Sequence, residues 1–418
     1  MDLQFSPTSL RGQKTKHNRP AKTIKYLRNI LLLFTCEALS RTSNVVFMTV
    51  MALTGQALAS RKILATLPLA LIPVATMLTT LPAARLMRRR GRRFGFALGA
   101  SLGIAGGLIC CAAVLLQHFP LLCLGAAGLG AVNGFATYYR FAAAEVADEA
   151  FKSRAISLVM AGGVVAAILG ESLSIWSQNW LPAHLFAGSF LCIAAVHFLV
   201  LGVLSLTSLP LPGAEERGME GRPLMQIARQ PDFILALIGA LASYGVMSLL
   251  MTATPLSMVR HQHSFAAMAL VIKWHILGMY VPSFFTGYLI RFFGEPRVMI
   301  AGVFVLLTSV LFNLGGTELV HFLVGLALLG LGWNFLFVGA TSLLTTTYQP
   351  REKAKVQAAN DFMIFGLMAL TSFSAGTLEE TVGWRTMNQG AVPFLLVVIL
   401  AITVLQVRRR LRARPRDP

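Results

Sequence analysis

Apolar residues fill this chain in long, nearly unbroken runs, separated by short segments rich in arginine, glycine and proline. An α-helix needs roughly 20 mostly apolar residues to cross a bilayer. The pattern predicts about twelve such spans, at 28–53, 62–86, 94–116, 120–144, 155–177, 183–206, 233–257, 265–290, 297–314, 319–343, 356–377 and 389–407. The first contains Glu37 and Arg41, which makes it too polar for a signal-peptide core and predicts a retained helix. The spans consume most of the chain and leave no room for a soluble catalytic domain. Walker-type phosphate motifs and prosthetic-group motifs are absent from the sequence, so the expectation is a non-enzyme without a resident cofactor.

One stretch, TSLPLPGAEERGMEGRPLMQIARQP at 207–231, breaks the apolar pattern. It divides the chain into a basic tail (1–27), a six-helix bundle (28–206), a linker (207–232), a second six-helix bundle (233–407) and a second basic tail (408–418). The halves repeat. Ala84-x-Leu86-x-Arg88-x-x-Gly91 follows span 2, and Gly287-x-Leu289-x-Arg291-x-x-Gly294 follows span 8, each element displaced by 203 residues. Gly128-Leu129-Gly130 in span 4 matches Gly330-Leu331-Gly332 in span 10. Several matches at nearly one offset, in corresponding spans, point to duplication. The expected fold is an all-α membrane protein of 12 transmembrane helices in two pseudo-symmetric six-helix halves.

Composition sharpens this. Hydrophobic residues make up 56% and charged residues 13%, against about 25% charged in soluble domains. The net charge of +19 would suit nucleic acid, but its placement does not. Twenty-nine of the 36 basic residues fall in the two tails, the middle linker and the even-to-odd loops, all on one side of the expected topology. Basic loops face the cytoplasm, so both termini are expected there, in a bacterial inner membrane, with no nucleic-acid partner. The basic clusters are also placed to touch anionic lipid headgroups. All five cysteines lie inside spans, which argues against a disulfide framework and for small apolar packing.

A duplicated six-plus-six chain with a basic middle linker resembles the major facilitator superfamily of transporters. That family's signature after helix 2 is Gly-x-Leu-x-Asp-Arg-x-Gly-Arg-Arg. Leu86, Arg89, Gly91, Arg92 and Arg93 keep it, whereas Ala84 replaces the glycine and Arg88 the aspartate. The resemblance implies a substrate site near the midplane between the halves, exposed alternately to each side. The missing aspartate puts one cytoplasmic gate contact in doubt.

Two motifs bear on the cargo. Met247-x-x-x-Met251 lies in span 7 and His275-x-x-x-Met279 in span 8. Residues four apart share one helix face, and thioether with imidazole suits copper, Cu(I) above all. Met258, Met268, His261 and His263 extend the same chemistry toward the outer mouth, and Cys36 in span 1 is a candidate thiolate across the cavity. Paired motifs of this kind resemble the CcoA-like copper importers, a family that also holds RfnT-like members named as riboflavin transporters. The resemblance implies copper import to a cytoplasmic acceptor for haem–copper oxidase assembly, with riboflavin as the alternative cargo. Neutral ligands would leave the bound ion its positive charge, so an inside-negative potential would favour entry by about 2.3 kcal/mol per charge per 100 mV.

Ionisable residues inside spans are costly and mark function or pairing. Glu37 and Arg41 are expected to pair or to couple protons. Arg140 is expected to snorkel or to bind an anionic group, with Glu145 nearby as its partner. Glu171 and Asp361 are candidate gate or proton residues. Lys273 is expected to point away from His275. A flavin would instead use Asn133, Phe135 and Tyr138 of span 4, Tyr244 of span 7, and Trp333 with Asn334 of span 10. Proton-driven export of drugs or metabolites is a third reading, weakened because Gly162-Gly163 in span 5 lacks an antiporter proline. A non-transporting scaffold or copper sensor is a fourth. A monomer is expected.

Overall fold

A computed structural model describes residues 19–60, 67–211 and 221–413. The N-terminal tail through residue 18, the start of the expected span 2 (62–66), the linker centre (212–220) and the last residues from 414 lie outside the described residues. Among the described residues, 12 helices are long and apolar enough to cross a membrane. They are α1 (Leu27–Leu58), α2 (Leu67–Arg90), α3 (Arg92–Leu115), α4 (Phe119–Val146), α5 (Glu149–Gly170), α6 (Ala187–Ser205), α7 (Pro231–Arg260), α8 (Leu270–Phe293), α9 (Glu295–Gly315), α10 (Leu319–Leu344), α11 (Lys353–Thr381) and α12 (Gly383–Val404).

The duplication is visible in the packing. In the first half α4 packs on α3 and α2, α6 on α3, and α1 on α5 and α6; in the second α10 packs on α9 and α8, α12 on α9, and α7 on α11 and α12. Helices in lipid gain little from burying apolar surface against one another, so close approach of backbones carries the packing. The buried glycine stripe of α3 (Gly95, Gly99, Gly103, Gly106, Gly107) supplies it. The two repeat loops are also conformational twins. Gly91 has φ 91 and ψ 161, and Gly294 has φ 82 and ψ 157. Only glycine adopts that region readily, so the displaced glycines mark the same tight turn in each half.

Three helices are interrupted. α4 turns at Thr137–Tyr138, between Phe119–Ala136 and Tyr139–Val146. α5 breaks at Ala161, between Lys152–Met160 and Gly162–Ser177. α8 breaks at Val281–Pro282, between Phe265–Tyr280 and Ser283–Phe293, where the proline removes a backbone donor and crowds the preceding turn. The halves meet along two helix pairs, α2 with α11 and α5 with α8. The basic loops after α2, α4, α8 and α10 share one end of the bundle, the basic face.

Candidate functional site

Among the described residues, the hydrogen bonds that cross between the halves gather in the basic-face portion of the seam. Arg140 Nη2 donates to Asp361 Oδ1 at 2.5 Å, and Thr137 Oγ1 donates to Asp361 Oδ2 at 2.9 Å. Asn360 Nδ2 adds a third bond to that carboxylate at 2.9 Å. The Arg140 guanidinium lies between the rings of Phe141 (4.6 Å) and Phe337 (4.7 Å). Closer to the basic face, Arg92 Nη2 donates to Glu145 at 2.6 Å and to Gln357 Oε1 at 2.6 Å, and Lys353 pairs with Glu145 at 3.3 Å. Ser153 meets Ser342 at 2.8 Å, and Ser157 donates to the Ser283 carbonyl while accepting from Gly287 N at 3.1 Å. Gly287 is obligatory there: a Cβ would stand 2.5 Å from Arg154 Cα and 2.8 Å from the Ser153 carbonyl oxygen.

This corrects two expectations. Arg140 neither snorkels nor pairs with Glu145; it reaches across the seam to Asp361, while Glu145 is held by Arg92 and Lys353. The physical reason is the turn at Thr137–Tyr138, which re-aims Arg140 toward α11. In the signature loop, Arg93 caps the Ser205 carbonyl at 3.0 Å and Arg89 is exposed. Arg88 stands at the family's aspartate position, and Arg92 makes the contact to the other half.

Deeper in the bundle, two sets of side chains face each other across the seam. From the first half come Glu37 and Arg41, one turn apart, with Arg41 Nε donating to Glu37 Oε1 at 2.8 Å. Arg41 lies within electrostatic reach of Tyr244 and Tyr280 in the second half. There Tyr244 meets Trp333 (5.3 Å, 77°) and Phe337 (4.9 Å, 81°) edge-on, and Tyr280 meets Trp333 at 6.1 Å. Trp333 and Phe337 stack at 5.1 Å. Tyr280 also packs over Gly163, where a Cβ would sit 2.3 Å from its ring. Asn133 Nδ2 donates to Asn44 Oδ1 at 3.2 Å on the first-half side. A carboxylate–guanidinium pair thus opposes an aromatic wall, with the Arg140–Asp361 pair toward the basic face.

Several sequence candidates are occupied otherwise. Asn334 is fully buried and engaged within the second half: its amide donates to the Met279 carbonyl (2.7 Å) and Ser283 Oγ (2.5 Å), and its oxygen accepts from Thr286 (2.6 Å). It stabilises the α8 break, out of reach of a solute. The Tyr138 hydroxyl is committed to the Thr80 carbonyl at 2.9 Å, and Phe135 packs on Gly99 of α3. The Glu171 side chain lies outside the described residues. Tyr280, Asn44 and Gln357 were absent from the sequence reading. Tyr280 hides beside Met279, and Gln357 would have emerged from the four-residue spacing Lys353, Gln357, Asp361.

The metal motifs reach α10 from two sides. His275 is fully buried and its Nδ1 lies 2.8 Å from the Leu326 carbonyl. A carbonyl only accepts, so Nδ1 donates and Nε2 carries the lone pair; that atom is buried without a partner. Met247 and Met279 are buried, and Met251 is half-buried. α7 and α8 both pack against α10 and touch each other only slightly. Met258 is fully buried and Met268 half-buried. His261 and His263 flank the Phe322 ring, with ring nitrogens 2.8 Å from the carbonyls of Ser257 and Thr317. Cys36 is buried beside Tyr139, and Lys273 is exposed, away from His275.

The comparisons with known proteins agree with this architecture. The sequence pattern of the Major Facilitator Superfamily matches residues 33–272 and 236–418. The chain is 42% identical over 377 residues to the riboflavin transporter RfnT of Brucella anthropi, covering 90% of this chain and 95% of that protein. It is 29% identical to the uncharacterized MFS-type transporter YdeG of Bacillus subtilis, over 79% of this chain and 80% of that one. Among solved structures, FucP in the outward conformation superposes with TM-score 0.73 at 16% identity, over 91% of this chain and 99% of that one. A bacterial homologue of the iron transporter ferroportin superposes at 0.68 and 13%, over 90% and 99%. These structural likenesses bear on the fold alone. A matching family pattern over nearly the whole chain, a close relative and twelve spans in two duplicated halves together establish that this chain is a multi-pass membrane protein belonging to the Major Facilitator Superfamily of transporters.

Proposed function

We propose that this protein imports riboflavin, or a closely related flavin, into the cytoplasm by alternating access, with its basic face and both termini cytoplasmic. The observation that carries the proposal is the seam cluster in which Arg41, bonded to Glu37, lies within electrostatic reach of Tyr244 and Tyr280, both edge-on to Trp333. A flat heteroaromatic ring needs aromatic faces to stack on and charge-assisted hydrogen bonds at its polar edge. The 42% identity to a protein named as a riboflavin transporter points the same way. The closed seam at the basic face fits a conformation open toward the periplasm, ready to load. The copper reading drops to second place. One observation favours it still: the buried, unpartnered Nε2 of His275, whose other nitrogen is oriented by a backbone carbonyl, as in many metal-bound histidines.

Uptake of labelled riboflavin and radioactive copper, measured side by side in cells lacking their own importers, tests both. Riboflavin accumulation that is lost in Tyr244→Ala supports the proposal. Copper accumulation without riboflavin accumulation overturns it in favour of the second reading.

A further inference from the structure

We infer that the Glu37–Arg41 pair reads the imide edge of the flavin ring; the inference rests on the flavin reading proposed above. Among the described residues, only half of each group is used. Glu37 Oε1 accepts from Arg41 Nε at 2.8 Å, while Glu37 Oε2 is buried without a partner. Buried carboxylate oxygens are almost always hydrogen-bonded, and leaving a charged acceptor unpaired is costly. The Arg41 side chain keeps 27% of its surface accessible, and among the described residues its hydrogen bond runs from Nε, leaving the two Nη groups open. The bond between them fixes an acceptor beside a donor, on consecutive turns of α1, facing the aromatic wall of the other half.

That pattern is the complement of an N–H flanked by a carbonyl. The isoalloxazine ring carries such an edge at N3–H between C2=O and C4=O. N3–H donates to Glu37 Oε2, and an adjacent carbonyl accepts from an Arg41 Nη group. The ring face then lies toward Tyr244, Tyr280 and Trp333. The ribityl tail has no part in this contact. The pair therefore selects heteroaromatic solutes with a free cyclic imide and rejects those alkylated at that nitrogen, because the methyl group would leave the carboxylate unpaired against carbon.

The test compares riboflavin with 3-methylriboflavin by equilibrium binding to the purified full-length protein in detergent, read by flavin fluorescence quenching. The wild-type protein should bind riboflavin at least about tenfold more tightly, the effect of one charge-assisted hydrogen bond. The double variant Glu37→Leu/Arg41→Met removes both charges together and so avoids stranding either one. It should bind the two flavins equally. Equal binding by the wild type would overturn the imide assignment and leave the flavin reading standing. A preference that persists in the double variant would move the imide contact to other residues. Binding of neither flavin by the wild type would overturn the flavin reading itself.

Discussion

The negative charge of Asp361 should hold the basic face shut, and Asp361→Asn should release it. Asp361 is fully buried and Arg140 is 6% exposed. They belong to opposite halves, so their 2.5 Å contact exists only while that face is closed. Removing one member of a buried ion pair costs about 3–5 kcal/mol, because the partner charge is left uncompensated. Two terms reduce the loss here. The asparagine keeps an acceptor for Thr137, and the rings of Phe141 and Phe337 hold the guanidinium by cation–π contacts of about 0.5–2 kcal/mol each. A net loss of about 2–3 kcal/mol remains, which shifts the balance between the closed and open basic face by roughly 30- to 150-fold. Spin labels at Arg90→Cys on α2 and Arg297→Cys on α9, both exposed and in different halves, read the state as an interspin distance. The four buried native thiols are shielded from labelling, and Cys123→Ser removes the half-buried fifth. The wild type should show mainly the short distance and Asp361→Asn mainly the long one. Identical distance distributions would refute the reasoning and make the pair a packing feature.

Three further outcomes follow from the same geometry. Glu352, outside the spans at the α10–α11 turn, accepts from Arg222 Nη2 (2.6 Å), Nε (2.8 Å) and N (2.9 Å) and from Gln349 N (2.9 Å); chiefly the Arg222 side-chain bonds, with the backbone donors, hold its carboxyl at about 2, below the usual 4.5. A depressed folded value gives stability that is complete above the ordinary carboxylate range and is lost as pH falls toward 2, at most about 3 kcal/mol and less because Arg222 is partly exposed. Glu352→Gln should therefore lower the melting temperature at pH about 7, and the gap to wild type should narrow in acid; a gap constant with pH would refute the carboxylate as its source. Gly287→Ala drives a Cβ into the Arg154 backbone at 2.5 Å and should populate the long interspin distance, whereas an unchanged distance would show that the halves tolerate the methyl. Met247→Leu/Met251→Leu is nearly volume-conserving and should cost less than about 1.5 kcal/mol each; riboflavin uptake should survive it, and a loss of uptake at normal protein level would place the methionines in the transport path.

The spans and the duplication were legible because each rests on a one-dimensional signal. Hydrocarbon thickness sets the length of an apolar run, and the Gly91 and Gly294 turns reappear at one offset with one backbone conformation. The Glu37–Arg41 pair was legible for the same reason, since four-residue spacing fixes proximity on a helix. Partners across the seam were not. Arg140 and Asp361 are 221 residues apart, and the turn at Thr137–Tyr138 that aims Arg140 at Asp361 rather than Glu145 interrupts an apolar run without a proline to announce it. Asn334 looked like a solute ligand because its residue type fits one; only the Pro282 break of α8 reveals that its amide is consumed by free backbone and hydroxyl groups there. The methionine motifs drew attention because sequence displays residue type and spacing, whereas the aromatic wall is assembled from α7, α8 and α10, and its Tyr280 carries no motif.

Closure of the basic face is built largely on α11. Lys353, Gln357 and Asp361 recur at four-residue intervals and so share one face of α11. Each bonds a different first-half group: Lys353 to Glu145, Gln357 to Arg92, and Asp361 to Arg140 with Thr137. Burial deepens along the series, from Lys353 at 17% side-chain exposure to Asp361 at 0%, so the bonds strengthen as surrounding dielectric falls. One helix therefore carries a graded set of contacts, and rotating or withdrawing α11 breaks them from the solvent side inward. The innermost contact also lies next to the aromatic wall: Phe365, one turn beyond Asp361, packs edge-on against Tyr244 with ring centroids 6.2 Å apart. Displacing Tyr244 would therefore press on α11 beside the pair that keeps the basic face closed.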